Sequence, residues 1–227
     1  MRYKIVYQCK WVIILTFLTL IYFSNLIYIE FPFISMYFPE KEAEKGFLVF
    51  LLSLFPRFHF EYQVYSFQTV ICWLCGVVCG ARTGLVTLCI YLIAGLIGLP
   101  LFAGGGGLDY IKEPTFGYLL SLPLNSYLSG LLYNKDKKIL AVFLPMFLTH
   151  LLGVIYLLLF NQALLDITWH LSFSMIGYDL IFALILVPIA PLVSFFMKEM
   201  IIQEVPTRST LIEESIPRTD RNKTRRI

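Results

Sequence analysis

Long apolar runs separated by short polar breaks set the pattern of the chain. Six runs, at about 11–29, 64–81, 83–101, 117–133, 139–160 and 171–197, come close to the ~20 residues a helix needs to cross a bilayer. The pattern predicts an all-α polytopic membrane domain of six transmembrane helices over residues 1–199, followed by a polar tail over 200–227. A seventh apolar run, about 47–58 ("FLVFLLSLFPRF" from Phe47), is too short to cross and is interrupted by Pro56, so a re-entrant or interfacial helix is expected. The charged "PEKEAEK" before it belongs in water. The first run follows Arg2, Lys4 and Lys10, as the core of a signal peptide would. Residues 1–42, however, contain no alanine and no small-x-small cleavage site, so a retained helix is expected.

Composition agrees with that pattern. Hydrophobic residues make up 58% of the chain, charged residues 15%, and the mean hydropathy is +0.75, against roughly 45–50% and 25% in soluble domains. A soluble catalytic core and a nucleic-acid partner are therefore not expected. The 20 Phe and 14 Tyr suit aromatic belts at both membrane faces. Of the 18 Lys and Arg, Lys41, Lys45, Arg57 and Lys112 fall in outer loops if both termini are inside, and the other fourteen fall on the inner side. An N-in, C-in orientation at the plasma membrane follows. The tail, ending "DRNKTRRI", is expected to be disordered at the inner leaflet and to act only as a topology signal.

Against this background the glycine run Gly104, Gly105, Gly106 and Gly107 stands out. Facing outward, it could gather backbone N–H groups around an anion, or it could be a flexible hairpin. It is not a nucleotide loop, because the chain holds no G-x-x-x-x-G-K-[ST]. Asp179 is the one acidic residue well inside an apolar run. Such a carboxylate faces a cavity or a partner group, and a ligand N–H pair or a helix–helix hydrogen bond would each satisfy it. Gln68 offers an amide donor and acceptor, or a cap. Tyr118 suits a pocket wall or an aromatic belt, and Asn125 and His150 suit interhelical bridges. Cys9, Cys72, Cys75, Cys79 and Cys89 lie in or beside apolar runs, which gives no disulfide framework. Cys72, Cys75 and Cys79 share a helix face as small buried side chains rather than as metal ligands. Gly76, Gly80 and Gly84 have close-packing spacing, but Gly80 and Gly84 flank Arg82 and are expected to form the tight inner turn between the second and third helices.

The stretch "GLIGLPLFAGGGGLDYIKEPTFGYLLSLPLNSYLSGLL" (95–132) resembles the signature of the BioY family, the biotin-binding S components of energy-coupling factor (ECF) transporters. The segment "VYSFQTVICWLCGVVCGARTGLVTLCIYLIAGLIGLP" is similar to that family's second and third helices, and "YDLIFALILVPIAP" to its sixth. The resemblance covers about 64–197 and implies a six-helix S-component fold that captures biotin at the outer face of the cell membrane. It implies release inside with the help of a transmembrane coupling protein and two cytosolic ATPases, without cofactor or metal. Asp179 with Gln68 or Asn125 would hold the ureido ring, with Tyr118 among the walls. The amides of Gly104 to Gly107, with Lys112, would take the carboxylate. Phe182 stands where the family often has a lysine, helix one lacks the family's small-residue docking motif, and an insertion at about 40–60 lengthens the first outer loop. The competing reading is an intramembrane enzyme, using Asp179 and His150 in acid–base chemistry on a lipid-like substrate, or a subunit for another small vitamin. The outer placement of Asp179 and the glycine loop favours binding.

Overall fold

The computed structural model describes residues 10–27, 29–37, 57–161 and 172–201. Helix α1 (Lys10–Ser24) leads into a two-stranded antiparallel ribbon, β1 (Ile29–Tyr37) and β2 (Arg57–Tyr65), with Ile29 opposite Tyr65 and Tyr37 opposite Arg57. Then come α2 (Gln68–Cys79), α3 (Ala81–Leu96), a 3-10 turn (Leu108–Lys112), α4 (Phe116–Asn134) and α5 (Lys138–Tyr156). A π turn (Leu157–Asn161) extends α5, and α6 (Ser174–Leu186) and α7 (Ala190–Ile201) complete the described chain.

The fold is mostly helical, but the ribbon corrects the all-α expectation. In "RFHFEYQVY" polar residues alternate with aromatic and β-branched ones, the period of a strand. Residues 57–58 of the expected re-entrant helix are strand, and 47–56 lie outside the described residues, as does the tail from 202. Each of the six apolar runs carries a helix or a bent pair of helices, of unequal length. Among the described residues one helix, Lys138–Leu159, is long and apolar enough to cross by itself, at about 33 Å. The run at 171–197 is instead α6 and the first part of α7, bent by 61°. Pro188 lies at the break, where it lacks an amide hydrogen and its ring would crowd the carbonyl of Leu184 in a continuous helix. Helices α1, α2 and α3 are apolar but shorter. Helix α4 has 19 residues, but it buries Ser121, Asn125, Ser126 and Ser129, which lowers its hydropathy.

Polarity runs inside out. Thr87, Ser126, Ser129, Thr149, His150 and Asp179 are buried, while Leu140, Phe143, Phe147, Leu151 and Ile155 make an exposed apolar stripe along α5. Such an exterior suits lipid tails, and such an interior suits helices held by packing and hydrogen bonds. Helix α4 packs against α2, α3 and α5. Gly76, Gly84 and Gly130 let α2, α3 and α4 meet almost backbone to backbone. A Cβ on Gly76 would lie 1.9 Å from the Ser126 carbonyl oxygen, and one on Gly84 would lie 2.9 Å from the Gly76 Cα. Gly80 alone makes the inner turn, at φ 84°, so Gly84 is a packing glycine rather than a turn glycine. Trp73, fully buried, donates its indole N–H to the Ala141 carbonyl at 2.7 Å, tying α2 to α5.

Candidate functional site

Asp179 projects from α6 into the bundle and is 2% exposed. The Tyr65 hydroxyl at the end of β2 donates to its Oδ1 at 2.5 Å, and Nε2 of His150 on α5 lies 3.0 Å from its Oδ2. Of the two expectations for Asp179, the hydrogen bond to a neighbouring element is present: the carboxylate is held by a strand and a helix. Around it stand the rings of Phe31, Tyr65, Phe67, Tyr178 and Phe182, with Phe67 and Phe182 centroids 4.9 Å apart and Tyr65 and Phe182 5.4 Å apart. Phe182 is a wall of this aromatic enclosure. Rings can shelter an apolar ligand face while a buried carboxylate orients its polar edge.

Asn125 and Tyr118 stand two turns apart on α4. Asn125 Nδ2 donates to Thr149 Oγ1 at 2.9 Å, and its Oδ1 is buried without a hydrogen-bond partner among the described residues. The Tyr118 ring meets His150 edge-on at 5.9 Å, and its hydroxyl pairs with Ser172 at 2.5 Å. Tyr118 also fills the space over Gly153, where a Cβ would lie 2.3 Å from the ring.

Gln68 points elsewhere. Its Nε2 donates to the Tyr91 hydroxyl at 3.0 Å, Asn25 Nδ2 donates to the same hydroxyl at 2.9 Å, and Tyr91 donates to the Leu101 carbonyl at 2.9 Å. This cluster clamps α1, α2 and α3 to the start of the glycine loop. In the loop, Gly105 and Gly107 adopt φ 116° and 110°, which favour glycine. Their amides donate to the carbonyls of Phe102 and Gly95, at 3.0 and 2.8 Å. A Cβ on Gly106 would sit 2.1 Å from the Leu99 carbonyl oxygen. The loop is therefore folded onto the end of α3, with the Gly107 amide engaged there and the Gly105 amide engaged within the loop. Lys112 pairs with Asp109 at 3.0 Å, both exposed. The structure thus brings Asp179, Asn125 and Tyr118 to one region with His150, and gives Gln68 and the glycines a second, adjoining cluster.

Reading the sequence missed Tyr65, Tyr91 and Asn25. Tyr65 closes an alternating stretch, and Asn25 is a lone amide at the end of an apolar run; neither pattern names a partner. Among the described residues no cluster of His, Cys, Asp or Glu could hold a metal.

Known proteins resemble this chain in sequence and in fold. A probable biotin transporter BioY from Lysinibacillus sphaericus is 35% identical over 33% of this chain and 38% of its own length. One from Pyrococcus horikoshii is 38% identical over 37% of this chain and 49% of its own length. In these two alignments the chain spans under two thirds of the relative. Both relatives are named as transporters, not as enzymes. The solved S-component for biotin from an ECF-type ABC transporter superposes with a TM-score of 0.58 at 20% identity, over 86% of this chain and 95% of that one, which shows a shared fold. Residues 47–199 match the family model described as BioY family, and the chain belongs to the BioY family.

Proposed function

We propose that this chain is the membrane substrate-binding subunit of a biotin uptake transporter. The observation that carries the reading is the buried Asp179 inside an aromatic enclosure at the end of the bundle where the glycine loop lies. Family membership and the names of the relatives support it. In this reading the Asp179 carboxylate takes a ureido N–H in place of the Tyr65 hydroxyl. Asn125 and Tyr118 line the bed, and the rings of Phe67 and Phe182 cover the fused ring system. Gln68 sets the glycine loop over the site. The remaining amides at Gly104 and Gly106, with Lys112 released from Asp109, meet the ligand's carboxylate. The protein sits in the plasma membrane in an N-in, C-in, six-pass arrangement, and a transmembrane coupling protein with two cytosolic ATPases drives release inside. No cofactor enters this scheme.

The test is titration of the detergent-purified chain with biotin. Saturable binding below micromolar is expected, with a loss of roughly 10- to 100-fold in Asp179→Ala, the size of a hydrogen bond to a charged group. No saturable binding by the unaltered chain overturns the reading. Undiminished binding by Asp179→Ala overturns the site.

A further inference from the structure

His150 is buried at 6% exposure, on the face of α5 that carries Thr149 and Gly153. Its Nδ1 has no hydrogen-bond partner among the described residues, and its Nε2 faces Asp179 Oδ2 at 3.0 Å. Because Nε2 faces a carboxylate oxygen, which accepts, and Nδ1 faces no partner among the described residues, the shared proton sits on Nε2. The Asp179 carboxylate and His150 Nε2–H therefore form an acceptor beside a donor, with Oδ2 and Nε2 3.0 Å apart. One amide edge has the complementary pair, an N–H beside a carbonyl oxygen, with the nitrogen and oxygen about 2.2 Å apart. On the facing helix α4, Asn125 Oδ1 is a second buried acceptor without a partner among the described residues, its Nδ2 being held by Thr149, the residue before His150. Acceptor, donor, acceptor is the complement of a cyclic urea, which presents N–H, C=O and N–H in that order.

We propose that His150 is a specificity-determining residue of the ligand site, giving its Nε2–H to the carbonyl oxygen of a cyclic urea while Asp179 and Asn125 take the two N–H groups. Without ligand, His150 and Asp179 satisfy one another. The proposal rests on the biotin reading and deepens it.

The test compares biotin with its thiocarbonyl analogue, which keeps both N–H groups but offers a weak acceptor. The unaltered chain, titrated with each at pH 7.5, prefers biotin by roughly tenfold. His150→Leu lowers biotin affinity and brings the ratio close to one, whereas His150→Gln, whose amide can donate, keeps the preference. The ratio in the unaltered chain is read without any variant having to fold. Equal affinity for the two compounds in the unaltered chain, or an unchanged ratio in His150→Leu, overturns this proposal and leaves the biotin reading standing. No biotin binding by the unaltered chain overturns both.

Discussion

Asp179 shows how far a single residue can be read in advance. A carboxylate in an oily helix is conspicuous because burial is costly, so its need for partners was legible. The partners were not, since Tyr65 is 114 residues away in the chain and His150 is 29. Tyr65→Phe tests the geometry. It keeps the ring in the aromatic enclosure but removes one donor, leaving Asp179 Oδ1 without its bond. The expected result is a lower melting temperature without ligand and a larger rise on adding biotin, read by thermal unfolding in detergent. A rise no larger than that of the unaltered chain counts against displacement of the Tyr65 hydroxyl. In the loop, Gly106→Ala is expected to cost about 1–3 kcal/mol, because its Cβ meets the Leu99 backbone carbonyl. Gly104→Ala meets only the Tyr110 ring edge, at 3.4 Å, and should melt close to the unaltered protein. That the run lies folded on α3 was not legible from four identical residues, since a glycine's role depends on the neighbour it lets approach.

The elements were legible in their order and less so in their kind. Runs built for lipid announced α2 to α5 within a few residues. The ribbon escaped because each of its strands is rich in aromatic residues, and its partner is separated by the insertion that lengthens the first outer loop. The break between α6 and α7 was visible as Pro188, yet hydropathy carries straight across it. Close approach of α2, α3 and α4 depends on Gly76, Gly84 and Gly130. Gly76→Val puts two methyl groups where the Ser126 carbonyl already lies. The expected outcome is loss of folded, monodisperse protein on size exclusion, whereas Gly177→Ala, with open space at its Cβ, elutes normally.

For the whole molecule, the inside-out distribution of polarity is the feature that composition alone foretold most fully. The described exterior carries apolar side chains on α3, α4, α5 and α6, and the interior carries amides, hydroxyls, one imidazole and one carboxylate. Leu151→Lys, on the exposed stripe of α5, is expected to reduce membrane-inserted protein, at about 2.5–3.5 kcal/mol for a cation in mid-bilayer. Within that frame the two polar clusters touch at one peptide bond. Phe67 belongs to the rings around Asp179, and its neighbour Gln68 opens α2 and holds Tyr91 beneath the glycine loop. In the proposed reading, capture and closure thus share a hinge-pin, and a ligand that shifts Phe67 pulls on the latch. Substitutions at Gln68, which bonds Tyr91, and at Phe182, whose ring meets Phe67, should then fail to add in a double-mutant cycle of biotin affinity, the signature of one lever with two arms.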